Sequence, residues 1–364
     1  MNLLIDLPHD SALGGLRAAS SEIVRLDPLT GEEWEALAAS HPEAGIFHRS
    51  AWARVLADTY GHRPYYLACR ERGRVTALIP LMEVSSPVTG RRGVSVPFAD
   101  MAGPLCFPGM KVEVMQQAVD DVARERGWRH TEWRGGPAGA VGWQVSAAYL
   151  AHTLDLQPSL DDLQAGFDSA TRRSLRKAEK GPLEVSIRHD EEAVRIFYQL
   201  HARTRRRHGL PPQPYSFFRH LHCHCLRGGG GAVVLASAGD RPVAAAVFLT
   251  AGMQAVYKFG ASDERHPEWR GNHLVMWSAL RWLKEKGLRH LHLGRTDLGQ
   301  DGLRRYKLGW GTTESRLEYT RYGRGEAESA VNPRPSPGVA KAVFSRLPLF
   351  LNRFCGSVLY PHLD

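Results

Sequence analysis

The stretch DGLRRYKLGWGT, Asp301 to Thr312, sets Lys307 between Tyr306 and a Gly-Trp-Gly turn, and LGRTD places Arg295 shortly before it. Acyl transfer to an amine builds negative charge on the carbonyl oxygen, and a held ammonium or guanidinium stabilises that charge. Lys307 and Arg295 are therefore candidate catalytic cations, and Trp310 joins them as a candidate substrate contact. The simpler alternatives are a surface lysine lying over Trp310 and an arginine paired with Asp297. Asp100, in VPFADMAGP, precedes a Gly-Pro turn. It can orient an attacking amine or take its proton, or it can bond its own loop backbone.

A second set of residues suits phosphate. TRRSLRKAEK aligns Arg172 and Arg176 on one helical face with Arg173 beside them, and Thr171 or Ser169 is expected to cap the helix. HARTRRRHG adds Arg203, Arg206 and Arg207. A phosphate-bearing ligand fits such stripes, and so does a plain solvated helix face. Tyr257 and Lys258 end a strand-like run, and Asn272 opens the helical run that follows. All three are candidate substrate contacts. HLHCHC, His220 to Cys225, divides its ligands between two sides, so a packed helix is expected there and no metal.

The elements that must position these residues occur twice. LACRERGRVTALIPLM (Leu67 to Met82) matches LASAGDRPVAAAVFLT (Leu235 to Thr250), each an apolar run, a short charged turn and a second apolar run. Both read as β-hairpins. RERGWRH (Arg124 to His130) matches KEKGLRH (Lys284 to His290), each ending a helical stretch at a glycine before a new strand. The order hairpin, helix, glycine, strand, repeated, gives an α/β fold with two copies of one domain. The expected divisions are a 1–21 extension, halves at 22–150 and 151–325, and a proline-rich linker with an amphipathic tail at 326–364.

Two such halves resemble the FemAB-like family of tandem GNAT-type acyltransferases, which includes the BioF2-like acetyltransferases. The resemblance spans roughly Phe47 to Tyr322. It rests on SVPFADMAGPL, YKFGASDERHPEWRGNHLVMWSAL and HLGRTDLGQDGLRRYKLGWGT, the last resembling the family's Gly-Arg turn and aromatic-Lys-x-x-Trp-Gly signature. It implies two tandem GNAT-like domains with mixed central sheets flanked by helices. It also implies a charge-stabilising role for Lys307, substrate contacts near Asp100 and Asn272, and work in cell-envelope, peptidoglycan or exopolysaccharide biosynthesis.

No tightly bound cofactor is implied; the acyl donor is a co-substrate, acyl-CoA or aminoacyl-tRNA. Arg270 and Gly271 keep part of the phosphate loop, but Asn272 and His273 stand where a second glycine is expected. That departure favours the tRNA-linked donor, whereas the lack of a long heptad-rich insertion weighs against it, so the donor stays open.

Composition sets the outer limits. The chain has 364 residues, net charge +9, 43% hydrophobic residues and five cysteines. Two domains and a reducing, cytoplasmic setting follow, with phosphate-bearing small molecules, a lipid-linked acceptor or tRNA as partners rather than DNA. MNLLIDLPHDSALGG lacks a basic segment and a long apolar core, so no signal peptide is expected. The tail is expected to pack on the fold, with peripheral contact at the inner membrane face as its alternative. A non-catalytic RNA- or lipid-binding protein on a degenerate transferase fold is the rival from another class.

Overall fold

The computed structural model describes residues 21–136, 142–323 and 337–363. Both hairpins are present. Tyr66–Glu71 pairs antiparallel with Arg74–Ile79, and Gly231–Ala238 with Arg241–Ala251, which turns back into Gln254–Ser262. The helices Val112–Arg126 and Gly271–Glu285 carry apolar residues at helical spacing and stop beside Gly127 and Gly287, both in the left-handed region. The strands His130–Arg134 and His290–Asp297 follow them.

The two copies share one large sheet. Eleven strands run in the order Glu184–Arg188, Gly231–Ala238, Arg241–Ala251, Gln254–Ser262, His290–Asp297, Gln144–Asp155, Thr313–Gly323, His130–Arg134, Gly90–Val94, Met82–Ser86 and Arg63–Pro64. Gln144–Asp155 lies between His290–Asp297 and Thr313–Gly323, and the latter pairs onward with His130–Arg134 of the first half. Residue 150, the expected boundary, therefore falls inside a strand. No turn residue marks the crossing, because an uninterrupted strand is what joins the halves. The first-half hairpin sits apart in a four-stranded sheet with Ser21–Leu26 and Leu105–Cys106.

Each face of the large sheet carries its own core. One joins the halves: Trp34, Trp52, Leu56 and Tyr66 pack in the same cluster as Phe197, Phe217, Phe218 and Val247. The other holds Phe167, Leu175, Trp277 and Trp310 beneath the helices Ser169–Glu179 and Gly271–Glu285. A shared apolar core of this kind fixes the halves relative to one another far better than surface polar contacts do.

Two local expectations change, and a third is met. Asp301–Leu308, whose surrounding glycines argue against a plain helix, is a short helix. The basic helix Ser169–Glu179 is capped by Asp168, whose carboxylate accepts the Thr171 N–H at 2.6 Å, and not by Thr171 or Ser169. Residues 215–226 are a helix ending in a π-turn, with His224 Nε2 hydrogen-bonded to Asp58 Oδ2 at 2.6 Å. The tail helices Pro337–Arg346 and Leu349–Leu359 pack on the helix Glu191–Arg207.

Candidate active site at the fork between two strands

Gln254–Ser262 and His290–Asp297 pair in parallel only where Gln254–Val256 meets His290–His292, and then part. Both strands are irregular where they separate. Val247 faces Phe259 while Phe248 faces Tyr257, so Lys258 is the extra residue of a bulge. Bulges re-aim side chains. On the other strand the register shifts between His292 and Arg295, and Gly294 between them has φ +70°. Glycine tolerates that backbone, and a Cβ there would be in ordinary contact with Asp100 Oδ2 at 3.6 Å, so it is the φ rather than space that calls for glycine.

Asp100 reaches this fork from the first half on a strained loop. Val96 and Phe98 each have φ +59°, a region costly for a β-branched or bulky residue, at about 1–3 kcal/mol each. Side chains from both halves hold the loop by its carbonyls. The Lys258 ammonium donates to Phe98 O at 2.7 Å and to Asp100 Oδ2 at 3.0 Å. The Tyr319 hydroxyl donates to Asp100 O at 2.7 Å, and Arg134 Nη1 donates to Ala99 O at 3.3 Å. Arg295 Nη1 donates to the Tyr319 hydroxyl at 2.6 Å while its guanidinium lies over the Tyr149 and Tyr319 rings.

Lys307 clasps the kink from the other side. Its ammonium donates to Gly294 O at 2.7 Å and Arg295 O at 3.0 Å, and the residue is 3% exposed. Its third N–H has no acceptor among the described residues. The following turn docks the helix onto the basic helix: the Asp168 N–H donates to Gly309 O at 2.9 Å, and a Cβ on Gly309 would lie 2.5 Å from Thr171 Oγ1. Trp310 has no exposed surface and packs edge-on against Phe167. It is a core residue, not a substrate contact.

Charge is unevenly distributed among these groups. Burial alone would raise the Asp100 carboxyl, but Lys258, Arg295 and His292 outweigh it and hold it at about 2. A carboxylate held so low is a weak base, so it suits holding a cationic amine better than taking its proton. Burial brings Lys307 down to about 8, against the pull of Asp100 and Asp297. Burial also lowers His292. Its Nδ1 accepts the Gly294 N–H at 3.0 Å, so the neutral ring carries its proton on Nε2, which is buried without a partner. The fork thus holds one ionised carboxylate and two N–H donors with capacity to spare.

Beside the fork, a pocket of about 270 Å³ opens where the helix Gly271–Glu285 begins, lined by Ser262, Arg270, Gly271, Asn272, His273 and Tyr306, and also by Glu264 and by Asp263, which Arg241 and Arg265 neutralise. The first-turn N–H groups and the dipole of a helix favour an anion at such a place. Gly271 is required there by packing, since a Cβ would lie 2.9 Å from the Ala244 methyl. Asn272 Nδ2 donates to Ser262 Oγ at 3.3 Å on the pocket wall.

The remaining sequence candidates divide. Lys258, Arg295, Lys307 and Asp100 meet at the fork, and Asn272 lines the adjoining pocket. Tyr257 points to the opposite face from Lys258 and packs at 5.4 Å from Phe248, its phenol pushed up to about 12 by burial. That alternation of strand neighbours removes it from the cleft. Arg172 turns back to donate to Ala165 O at 2.7 Å. Arg173 and Arg176 are exposed on a helix that packs against Gly271–Glu285, flanking the pocket's helix rather than the fork. His292 and Tyr319 were not anticipated. The alternating LRHLHLG pattern puts His290 and His292 on one strand face, but the proton position on His292 depends on the kink at Gly294.

Residues 166–314 match the family model of the acetyltransferase (GNAT) domain. Among solved structures, FemX superposes with a TM-score of 0.66 at 15% identity, over 82% of this chain and 96% of that one. A tandem GNAT protein from the clavulanic acid biosynthesis pathway gives 0.52 at 15% identity, over 85% and 100%. L-PGS from Bacillus licheniformis gives 0.54 at 14% identity, over 83% and 94%. A comparison with curated proteins found no match. The second half matches the GNAT acetyltransferase domain, and the chain as a whole shares its fold with FemX and the tandem GNAT protein.

Proposed function

We propose that the chain is an N-acyltransferase working at the fork, with a cell-envelope amine as acceptor and a donor whose acyl group is carried on a phosphate-bearing molecule. The observation that carries this reading is the cross-half cluster of Asp100, Lys258, Arg295 and Lys307 at the point where the two strands part. Asp100 holds the acceptor as its ammonium, and Lys258 and Arg295 keep that carboxylate ionised and aimed. After losing one proton to solvent water, the amine nitrogen forms a bond to the donor carbonyl carbon. The developing oxyanion takes hydrogen bonds from the spare N–H of Lys307 and from His292 Nε2–H. The C–O or C–S bond to the carrier then breaks, and the second nitrogen proton ends on the departing alcohol or thiol. The pocket at Arg270–Asn272 receives the carrier's phosphate, whether coenzyme A or the end of a tRNA.

The test is a mass-spectrometric transfer assay with acetyl-CoA and with aminoacyl-tRNA as donors, offered to a panel of amine acceptors. Transfer by the wild type that collapses in Lys307→Met, with donor binding retained, supports the reading. Binding of both donors without transfer, or transfer indifferent to Lys307→Met, sinks it.

A further inference from the structure

The C-terminal helix Leu349–Leu359 has two faces with opposite environments. Asn352, Gly356 and Tyr360, spaced at i, i+4 and i+8, turn inward. Asn352 Nδ2 donates to Phe344 O at 3.1 Å, Tyr360 accepts from Arg205 Nη2 at 3.0 Å, and a side chain on Gly356 would collide with Pro212 O. These contacts fix the helix on the fold. On the outward side stand Phe350, Leu351, Phe354 and Val358, at i, i+1, i+4 and i+8; Phe350 is 69% exposed and Phe354 64%. Packing therefore explains one face and leaves the other, an apolar stripe, uncovered among the described residues.

Charge says what covers it. From 337 to 363 the chain has no aspartate or glutamate, and it carries Lys341, Arg346 and Arg353. Directly beside the helix, Ser345 and Leu349 form one wall of a groove of about 620 Å³ whose other walls hold Arg203, Arg206, Arg207 and Arg265. Arg265 is paired with Asp263, and Arg207 lies 3.5 Å from Glu264. Arg203 and Arg206 have no ion pair or side-chain hydrogen bond among the described residues, so two guanidinium charges stand uncompensated beside the apolar stripe. An apolar helix face bordered by unpaired cations matches the boundary between acyl chains and anionic headgroups. No helix among the described residues is long and apolar enough to cross a membrane, so the contact is one of lying on the surface.

We propose that the outward face of Leu349–Leu359 and the Arg203–Arg206 groove form one docking surface for an anionic phospholipid bilayer, with the aromatic stripe in the interface and a lipid phosphate in the groove. This goes beyond the acyl-transfer reading and stands on different residues.

The experiment is co-sedimentation of the full chain with phosphatidylcholine vesicles, with and without phosphatidylglycerol. Phe350→Ser/Phe354→Ser should weaken partitioning at least ~10-fold. Arg203→Gln/Arg206→Gln should weaken it by about 5-fold per arginine at low ionic strength, a loss that high salt reproduces in the wild type. All four side chains are surface groups, so circular dichroism and Tm should stay at wild-type values in both variants. Failure to bind the phosphatidylglycerol vesicles overturns the proposal, as does equal binding to neutral ones or binding that ignores the phenylalanine changes. A concentration-dependent dimer abolished by Phe350→Ser/Phe354→Ser also overturns it, by assigning the stripe to a second copy. Phosphate taken up by the groove from solution, with no vesicle binding, reduces it to a soluble-ligand site and overturns the membrane role.

Discussion

The two copies of the hairpin–helix–strand unit treat the same structural problem differently. In the second copy the third strand, Gln254–Ser262, and the strand after the helix, His290–Asp297, remain in one sheet and part only beyond their first three paired residues. In the first copy the separation is complete. The strand paired beside Arg74–Ile79 is only the short Leu105–Cys106 in the small sheet, while Met82–Ser86, Gly90–Val94 and His130–Arg134 lie in the large one. The helix starts differ too. Lys111, before Val112–Arg126, is held by Glu71 at 2.8 Å, whereas Arg270, before Gly271–Glu285, faces an open pocket. The first copy has given up a fork of its own, and the chain between Ile79 and Leu105 carries Asp100 into the fork of the second. On the proposed reading, one copy holds the carbonyl chemistry and the other supplies a charge to it.

If that division of labour is right, cutting the tie between copies should have the largest effect. Lys258→Met leaves the Asp100 carboxylate buried without its ammonium and frees a loop strained at Val96 and Phe98. Losing one partner of a buried pair costs about 3–5 kcal/mol, so urea unfolding should show a loss of that order. Asp100→Asn/Lys258→Met should recover part of it. A loss under ~1 kcal/mol in the single variant would mean the copies are held by their apolar core alone.

Lys307→Met tests whether the second copy holds the chemistry. Removing one oxyanion donor typically lowers kcat by ~10²–10³. The pH profile sharpens the assignment: Lys307 is cationic below about 8, so wild-type turnover should fall above that pH. The stability linkage has the same origin. The folded value lies below the ordinary lysine value of about 10.4, so the fold disfavours the charged form. This group's cost is fully present below about 8 and disappears as pH rises toward about 10.4. In Lys307→Met the alkaline limb near pH 8 should vanish. If it persists unchanged, another group titrates there.

How far the sequence reaches follows from which interactions are local. The hairpins, the two helices and their terminal glycines follow from periodicity within a dozen or so residues, and all are present as read. Lys307 and Arg295 could be placed after a strand end for the same reason. The Asp100–Lys258 pair joins positions 158 apart, and no local pattern encodes it. The sequence marks Lys307 as a candidate cation, but not that two of its bonds go to Gly294 O and Arg295 O, carbonyls exposed by a kink that only the sheet register creates. Trp310 and Tyr257 looked like contacts because aromatic residues near charges do, but neighbouring helices cover them. The halves' boundary was hidden inside Gln144–Asp155 because a strand paired on both edges needs no turn.

Gly294 is the hinge of the comparison on the second-copy side. Alanine at φ +70° costs about 1–2 kcal/mol, and its methyl would stand against the Asp100 carboxylate. Gly294→Ala should therefore lower Tm modestly and, if the proposed site is right, lower turnover by more than its stability loss explains, because relieving the left-handed backbone moves the Gly294 and Arg295 carbonyls that hold Lys307. Equal stability and activity losses would reduce the residue to a backbone role.

Arg270 separates the open helix start from the closed one with the smallest effect. It sits at φ +54° with no side-chain cap before Gly271. Arg270→Gly relieves a left-handed non-glycine residue, worth roughly 1 kcal/mol, and gives part of that back through the greater freedom of the unfolded chain. Stability should rise slightly or hold. The same change removes a cation from the pocket wall, so KM for a phosphate-bearing donor should rise several-fold while kcat stays near wild type. The residue would then be retained, despite its backbone cost, for the ligand rather than the fold. In the first copy, where Glu71 already occupies Lys111, Lys111→Gly should leave donor KM where it was. A KM shift from Lys111→Gly would show that the first copy's helix start still meets the donor, and would end the division of labour drawn between them.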